Sequence, residues 1–351
     1  MFKNIVPVAS GKGGVGKSTV SANLALALQA KGLKVGLMDA DVYGPSIPTI
    51  LGITEKPVTE NGKLRPVEKF GIKVISTAFF VPGNEAVIWR GPMLHKMIQD
   101  FFSAVDWGDL DILIVDLPPG TGDVQLSLCQ TIPVTGAVIV STPQEVAWNV
   151  AQKAILMFDK LNAPILGIIE NMSYFSCSHC HEKEEIFSRG GAKKAAERLE
   201  IPYLGEVPIV TAIRKTADEG DPVVHSDPSS EQAKNFIQIA DNLVQQLKNQ
   251  KEKGSSKKAP IKISPAGQTP LEIIWNDGAV SKFDAKKLRA ACPCAACVNE
   301  ITGQRTIKLE SVPADIKPAA IHSVGRYALQ IVWSDGHSTG LYGFDYLRNM
   351  N

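Results

Sequence analysis

The residue pattern with the clearest chemistry lies near the start of the chain, where residues 10–19 read SGKGGVGKST. It matches the phosphate-loop template GxxxxGK[ST], and it lies between an apolar run and a helical pattern, as that template requires. Glycines let backbone N–H groups converge on a phosphate at the positive end of a helix. The lysine would reach the β- and γ-phosphates and the serine would bind Mg²⁺. We therefore predict a nucleotide and Mg²⁺ site made by Gly11, Lys12, Gly13, Gly14, Val15, Gly16, Lys17, Ser18 and Thr19.

Three carboxylates follow apolar strand patterns further along the chain. One apolar run ends in Asp39 and Asp41, and another, ILIV, ends in Asp116. The carboxyl ends of parallel strands are where an α/β sheet holds its ligands. We predict that Asp116, at a Walker B position, faces the water shell of the metal. Gly120, in the following Pro-Pro-Gly turn, would offer its N–H to the γ-phosphate. For Asp39 and Asp41, the alternative interpretation is a turn with a helix cap.

A CxxC pair, Cys177 and Cys180, forms the first cysteine cluster. Such a pair can bind a metal, cycle between thiols and a disulfide, or ligate an iron–sulfur cluster. One chain supplies only two thiolates, which is half of a four-thiolate site. Four sulfurs from two chains would suit either tetrahedral Zn²⁺ or a bridging [4Fe–4S] cluster, and the spacing does not choose between them.

The second cluster lies in the tail of the chain and consists of Cys292, Cys294, Cys297 and, further on, His337. Three thiolates and one imidazole make a closed tetrahedral Zn²⁺ site. The cluster is flanked by an internal repeat, LEIIWNDG at 271–278 and LQIVWSDG at 329–336, and each copy predicts a strand that enters a hairpin turn. About 80 residues build only a small core, so a structural metal is expected here. The alternative is that these cysteines bind a cluster.

Bulk properties narrow the class of protein. The 351 residues suggest about two domains, and 37 basic against 36 acidic side chains give no excess charge for nucleic acid or a membrane surface. No apolar run approaches the roughly 18 residues that span a bilayer, and no apolar signal segment opens the chain. We expect a cytoplasmic protein, in which six cysteines are more often ligands or redox groups than disulfides.

Strand and helix patterns alternate through the first two thirds of the chain, which predicts a doubly wound, mostly parallel α/β sheet followed by a small β-rich metal-binding domain. We expect domains at 1–248 and 267–351, joined by a linker at 249–266 that is rich in Lys, Gly, Ser and Pro. A nucleic-acid or nuclear signal is the rival interpretation of the lysines in that linker.

The KGGVGKST string, with Lys12 directly after Gly11, resembles the deviant Walker A NTPases such as MinD, ParA and the nitrogenase iron protein. The resemblance implies a nucleotide-gated homodimer in which Lys12 contacts the nucleotide of the partner subunit. It also implies that Asp41 orients or activates the attacking water and that Asp39 supports Mg²⁺ through its water shell. Asn171 would bond the adenine edge. The plainer alternatives are a solvated lysine and a turn-forming asparagine.

A narrower resemblance rests on four strings: DADVYGPS at 39–46, DLPPGTGD at 116–123, ENMSYF at 170–175, and the CxxC that leads into IFSRGG at 186–191. Together they resemble the Mrp/ApbC iron–sulfur carriers over residues 3–245. This implies an ATPase that holds a cluster and delivers it to apo-proteins. The family also contacts the base near Pro208, although the following segment, IVTA, lacks the acidic residue found in many relatives.

The tail resembles the DUF971-type domain at the N-terminus of γ-butyrobetaine hydroxylase, which uses the same CxCxxC and His set for zinc. Taken together, the resemblances imply an ATP-dependent [4Fe–4S] carrier that works as a homodimer on apo iron–sulfur proteins, without nucleic acid or membrane as a partner. The rivals are a MinD/ParA-type positioning ATPase and an ATPase whose CxxC pair holds a purely structural zinc between subunits.

Overall fold

The structure is a computed structural model. It describes residues 2–60, 62–80, 91–120, 125, 129, 132, 134–161, 163–177, 180, 182–254, 260–294, 297–298, 304–324 and 328–350. The chain divides into two compact units, Met1–Leu247 and Lys248–Asn351. Among the described residues, no helix combines the length and hydropathy needed to cross a membrane.

The first unit is built on one sheet with helices on both faces. Its strands are β1 (Ile5–Ser10), β2 (Val35–Asp39), β5 (Val67–Lys69), β6 (Ile72–Ser76), β7 (Ile112–Asp116), β8 (Ala137–Ser141), β9 (Ile165–Ser176), β10 (Lys183–Glu184) and β11 (Tyr203–Ile209). A separate hairpin joins β3 (Val58–Glu60) to β4 (Lys63–Arg65).

The helices of this unit are α1 (Lys17–Ala30), α2 (Ile47–Ile50), α3 (Gly91–Ser103), α4 (Glu145–Lys160), α5 (Gly191–Arg198), α6 (Thr211–Asp218), α7 (Val223–Ser226) and α8 (Glu231–Gly254), with a 3₁₀ turn at Thr77–Phe80.

The strand order explains how the predicted carboxylates meet. In the described residues the sheet runs β10-β9-β8-β1-β7-β2-β6-β5, with β11 also paired to β9. Strands β9, β8, β1, β7, β2 and β6 are parallel, so their carboxyl ends share one edge. Asp39 and Asp116 lie directly opposite each other across β2 and β7. The predicted doubly wound, mostly parallel sheet is confirmed.

Alternating residues of the parallel strands supply the two apolar layers of the core. Val6 and Val8 of β1 face the layer that contains α1 and α8, while Ile5 and Ala9 face the layer that contains α3 and α4. Both faces of β1 are therefore buried, which is why its sequence is an almost unbroken apolar run.

The course of β9 differs from the sequence-based expectation. The apolar pattern predicts that the strand ends before Asn171, whereas β9 continues to Ser176. Met172 has a left-handed φ of 58°, and the pairing of β9 with β11 shifts register just beyond Asn171. A bulge changes the direction in which the following side chains point. The strand therefore continues past Asn171, although the apolar pattern of the sequence is broken there.

The second unit has its own small core. Its strands are β12 (Pro260–Ile263), β13 (Leu271–Trp275), β14 (Val280–Phe283), β15 (Pro318–Val324), β16 (Ala328–Trp333) and β17 (Leu341–Gly343), and its helices are α9 (Ala285–Ala290) and α10 (Phe344–Asn349). Two antiparallel three-stranded sheets result, and the repeated motifs form β13 and β16 as predicted. The buried Trp275 and Trp333 come from equivalent positions of the repeat.

The predicted linker at 249–266 differs from the structure at both ends. Helix α8 continues to Gly254, because the Lys, Gln and Glu residues there favour helix whether or not they are buried. At the other end, β12 pairs with β13 and belongs to the β-rich unit. The remaining part of the predicted linker, residues 255–259, lies outside the described residues.

Packing of α8 against the sheet yields a stability prediction. Leu243 is fully buried in the core of the first unit, so Leu243→Ala should lower the free energy of unfolding by about 2–5 kcal/mol. Leu199→Ala, at a leucine that is 38% exposed, is the matched control and should cost about 0.5 kcal/mol. Urea unfolding followed by circular dichroism measures both, and equal losses would contradict the placement of α8.

Candidate nucleotide and metal sites

The phosphate loop connects β1 to α1, and its shape depends on close backbone approaches. Gly16 adopts a left-handed φ of 78° directly before α1. A side chain there would also collide with the Asn171 amide. A Cβ on Gly11 would lie 2.5 Å from the backbone carbonyl carbon of Val150 in α4. Glycine is therefore required at both positions for reasons of fold as well as phosphate binding.

The Asp116 carboxylate is the centre of the site. It has no exposed surface. Its Oδ2 accepts hydrogen bonds from Lys17 Nζ at 2.7 Å and Ser18 Oγ at 2.6 Å, and its Oδ1 accepts one from Ser21 Oγ at 2.6 Å. The structure thus brings together the predicted Walker A and Walker B residues, and it adds Ser21, which the sequence analysis missed. The available signal was a serine one turn after Lys17, where α1 is otherwise becoming apolar.

The two switch I carboxylates have different surroundings. Asp39 is fully buried and accepts from Ser76 Oγ at 2.9 Å and from two backbone N–H groups, those of Asp41 and Ile47. Burial and the nearby charge of Asp116 raise the pKa of Asp39 to about 7.

Asp41 lies near Lys17, the residue predicted to bind the phosphates. Its Oδ2 is 3.8 Å from Lys17 Nζ, and its Oδ1 accepts from the N–H groups of Tyr43 and Gly44. Burial raises the pKa of Asp41, and the positive charge of Lys17 opposes that rise. A carboxylate with a raised pKa is a better proton acceptor, which fits the predicted role of Asp41 toward water.

Three other predicted nucleotide residues contact protein groups. Lys12 is half-buried, and its Nζ donates to Gln144 Oε1 at 3.3 Å. The Gly120 N–H donates to the Ser10 carbonyl at 3.0 Å. The Asn171 Nδ2 donates to the carbonyl of Val15 in the phosphate loop at 2.7 Å.

Pro208, the fourth such residue, is buried near the end of β11, next to the Val207–Asn171 pair of the sheet. It therefore lies at the same edge as the predicted adenine reader. Gly13 and Gly14 of the phosphate loop are exposed, and Thr19 is half-buried at the start of α1.

The CxxC pair lies on a short connection between two antiparallel strands. Strand β9 ends at Ser176, the Cys177 N–H donates to the Glu182 carbonyl at 3.0 Å, and β10 then pairs back onto β9. Cys177 is half-buried and Cys180 is exposed. An exposed thiol on a surface hairpin can be reached by another protein chain, as a site shared between chains requires.

Two cationic side chains lie over one aromatic ring at the base of this hairpin. Lys183 Nζ and Arg189 Cζ lie 4.6 and 4.8 Å from the centre of the Tyr174 ring. Arg189 also forms an ion pair with Glu206. Lys183 in turn pairs with Glu231, so carboxylates balance both of these cations.

Glu170 links the nucleotide edge to the chain after the CxxC hairpin. This carboxylate is fully buried and accepts from the N–H of Gly190 at 2.9 Å and of Ala192 at 2.7 Å, at the start of α5. In the sequence, Glu170 is predicted only as part of the string ENMSYF at 170–175, with no function of its own. A buried acid before a later Gly-Gly helix start is the signal that could have found it.

The tail cysteines and His337 form a compact ligand set. Their four ligand atoms all lie within 4.8 Å of one another, and Cys292 and Cys297 are buried. His337 Nε2 is 3.2, 3.4 and 3.9 Å from the sulfurs of Cys292, Cys294 and Cys297. Tetrahedral zinc with one nitrogen and three sulfur ligands needs N···S separations of about 3.6 Å. The residues present therefore fit the predicted Zn²⁺ site.

Arg289 supports this ligand set and was missed by the sequence analysis. It is 7% exposed, donates to the Cys297 sulfur at 3.5 Å, and bonds Asp335 at 2.8 Å. Asp335 in turn accepts from the backbone N–H of His337. Three thiolates carry more negative charge than Zn²⁺ neutralises, and a buried guanidinium offsets the excess.

Fold and site together define a P-loop NTPase with a separate Cys₃His domain. The family model of NUBPL iron-transfer P-loop NTPases, of the ParA type, matches residues 1–244. The chain therefore belongs to this family. The model of the gamma-butyrobetaine hydroxylase-like N-terminal domain matches residues 261–348.

Curated relatives agree with this assignment. The chain is 50% identical over 246 residues to an iron-sulfur cluster carrier protein of Aquifex aeolicus, covering 69% of this chain and 68% of that protein. It is 49% identical over 249 residues to the iron-sulfur cluster transfer protein NUBPL of Dictyostelium discoideum, covering 70% and 77%.

Solved structures show the same architecture. A nucleotide-binding protein of Archaeoglobus fulgidus in complex with ADP is 40% identical with a TM-score of 0.59, covering 67% of this chain and 92% of that one. The cell division ATPase MinD of Pyrococcus furiosus is 25% identical with a TM-score of 0.54, covering 69% and 99%. The predicted kinship with Mrp-type carriers and with the MinD/ParA fold is confirmed.

The raised pKa of Asp39 predicts a pH-dependent stability. Between the ordinary Asp value of 3.8 and about 7, the folded protein binds more protons at this residue than the unfolded chain, so stability falls as pH rises through this window. Asp39→Asn removes this dependence. Its melting temperature relative to wild type should be higher at pH 8 than at pH 5 by at least about 3 °C. Thermal melts of nucleotide-free protein measure it.

Asp159→Asn, at an exposed carboxylate of α4, is the control for the Asp39 experiment and should show no such difference. A melting-temperature difference between Asp39→Asn and wild type that is the same at both pH values would contradict a raised pKa at Asp39.

Proposed function

We propose that this protein is an ATP-hydrolysing iron–sulfur cluster carrier that works as a homodimer in the cytoplasm. Two copies would hold a [4Fe–4S] cluster between their Cys177 and Cys180 pairs and transfer it to apo-proteins. The observation that carries the proposal is the position of the CxxC hairpin at the end of β9. The same strand contributes Asn171, whose amide touches the phosphate loop. The similarity to an iron-sulfur cluster carrier protein and an iron-sulfur cluster transfer protein supports an iron–sulfur cluster as the cargo.

Hydrolysis uses the residues gathered at the carboxyl edge of the sheet. Lys17 would leave Asp116 to meet the phosphates, and Ser18 would hold Mg²⁺ through its hydroxyl oxygen. Asp116 and Asp39 would support the metal through its water shell. Asp41 orients the attacking water and accepts its proton as the bond between the β-γ bridging oxygen and the γ-phosphorus breaks, giving ADP and phosphate. The Gly120 N–H, released from Ser10, would bond the γ-phosphate.

The dimer is proposed from two independent features. A CxxC pair supplies two of the four thiolates that a [4Fe–4S] cluster takes. The Lys12 ammonium group donates a hydrogen bond to the side-chain amide oxygen of Gln144. That contact is neutral, so a phosphate of the partner subunit's nucleotide would compete well for the ammonium group.

The C-terminal unit is proposed to hold one structural Zn²⁺ through Cys292, Cys294, Cys297 and His337. These ligands fill a closed tetrahedral set and leave no position for a substrate, as structural zinc sites do. Zinc would stabilise a small core that packs directly on the ligands: Gly340 lies so close to the Cys292 sulfur that a Cβ there would be 2.5 Å from it.

The two lysines of the phosphate loop should separate catalysis from dimerisation. Lys17→Ala should reduce ATP hydrolysis by at least about 100-fold, because it removes the ammonium group that stabilises the negative charge developing on the phosphate oxygens in the transition state. Lys12→Ala should keep ADP binding by the single subunit yet lose both hydrolysis and ATP-dependent dimerisation. Phosphate release and analytical ultracentrifugation measure these effects. Lys194→Ala, at an exposed lysine of α5, is the control. Wild-type turnover by Lys12→Ala would refute the role of Lys12 across the interface.

The two cysteine clusters should be separable by metal analysis of anaerobically reconstituted protein. Cys177→Ala and Cys180→Ala should lose iron, sulfide and the brown colour, and should keep about one zinc per chain. Cys294→Ala and His337→Ala should lose zinc and keep the iron. Cys129→Ala, at a buried cysteine outside both clusters, should keep both metals. Zinc in place of iron at Cys177 and Cys180 would favour the structural-zinc alternative, and iron lost only from the tail variants would reverse the assignment.

A further inference from the structure

Ser21 is a buried hydroxyl that the proposed hydrolysis does not use. It lies on α1 one turn beyond Lys17 and Ser18, on the same side of the helix, and has no exposed surface. A hydroxyl at that depth costs free energy unless it is hydrogen-bonded. Serines inside helices commonly donate to the carbonyl four residues back. Ser21 instead donates to Asp116 Oδ1 at 2.6 Å.

The three donors to Asp116 divide between its two oxygens. Lys17 and Ser18 both bond Oδ2, and Ser21 alone among the donors described bonds Oδ1. Phosphate-loop chemistry requires Lys17 at the phosphates and Ser18 at Mg²⁺. Lys17 must therefore leave Oδ2 when nucleotide binds. Ser18 can keep its hydrogen bond, because a hydroxyl ligates a metal through an oxygen lone pair and retains its proton, while Ser21 holds the other oxygen, Oδ1.

When Lys17 leaves Asp116, the site loses the positive charge that balances its carboxylates. Asp39 lies opposite Asp116 in the register of β2 and β7, so two buried carboxylates lie side by side. Among the described residues, Lys17 is the one cation paired with either carboxylate, so a metal would supply the positive charge that its departure removes. Without a donor at Oδ1, the Asp116 carboxylate could rotate about its Cβ–Cγ bond, and each binding event would then include the free energy of orienting it.

We propose that Ser21 is a positioning residue for Mg²⁺ binding. Its hydroxyl holds Oδ1 of Asp116 in every nucleotide state and so keeps Oδ2 aimed at the water shell of the metal. Ser21 touches neither nucleotide nor metal and acts only through Asp116. This inference rests on the proposed nucleotide chemistry.

The test compares Mg²⁺ dependence in Ser21→Ala and wild-type full-length protein. The Mg²⁺ concentration that gives half-maximal tightening of ADP binding should rise by about 10-fold, the low end of the cost of losing a hydrogen bond to a charged group. Affinity for ADP in the presence of a chelator should stay unchanged, since no nucleotide contact is lost. The same Mg²⁺ shift should appear in ATP hydrolysis.

Matched variants separate positioning from folding. Ser173→Ala removes another fully buried hydroxyl, which has no hydrogen-bond partner among the described residues, and should leave the Mg²⁺ curve in place. Ser21→Thr keeps the hydroxyl and should restore it. If Ser21→Ala does not fold, Ser21→Cys, of similar volume with a weaker donor, takes its place.

An unshifted Mg²⁺ curve in a folded Ser21 variant, or an equal shift in Ser173→Ala, overturns the proposal. Measurements of ADP binding are sufficient to test the role of Ser21. If the wild-type protein does not hydrolyse ATP, the proposed ATPase activity is refuted, but the Ser21 experiment remains valid.

Discussion

One buried carboxylate, that of Asp116, organises the first unit of the protein. A negative charge without solvent is tolerated only if donors satisfy it, and here Lys17, Ser18 and Ser21 supply three short hydrogen bonds. These donors come from the start of α1, so the carboxylate fixes how the phosphate loop lies against β7. Burial raises the pKa of neighbouring Asp39, and the charge of Asp116 raises it further. The proposed move of Lys17 to the phosphates would remove one of these donors, so nucleotide and fold would compete for the same ammonium group.

Strand β9 connects that exchange to the CxxC hairpin. Along this one strand, Glu170 holds the start of α5, Asn171 contacts the phosphate loop, and Cys177 follows at the end. Neighbouring residues of a strand point to opposite faces, so Glu170 and Asn171 tie the strand to two different layers. Met172, with its left-handed φ, interrupts the regular strand between these anchors and the cysteines. One strand thus carries the contact to the phosphate loop, the contact to the start of α5, and the connection to the CxxC pair.

The second unit obeys a different constraint. Its core is small, and Cys292 and Cys297 are themselves members of it. A metal at the Cys₃His set would join the helix α9 region to the hairpin after β16, which are distant in sequence. Arg289 contributes both charge and packing there, since it bonds a thiolate and Asp335 while almost fully buried. Folding of this unit is therefore expected to be coupled to its metal.

The sequence by itself determined the phosphate loop, the Walker B strand, the doubly wound sheet, both cysteine sets and the tail repeat. Each of these is encoded locally, by glycine spacing, apolar runs, or ligand spacing within a few residues; only His337 had to be inferred from a distant position. Tertiary structure alone decided that Ser21 bonds Asp116, that Gln144 is the partner of Lys12, and that β9 continues to Ser176. Those features depend on contacts between residues about 95 and 132 positions apart and on pairing with β10 and β11. No local pattern records such contacts, because only the register of the sheet brings these side chains together.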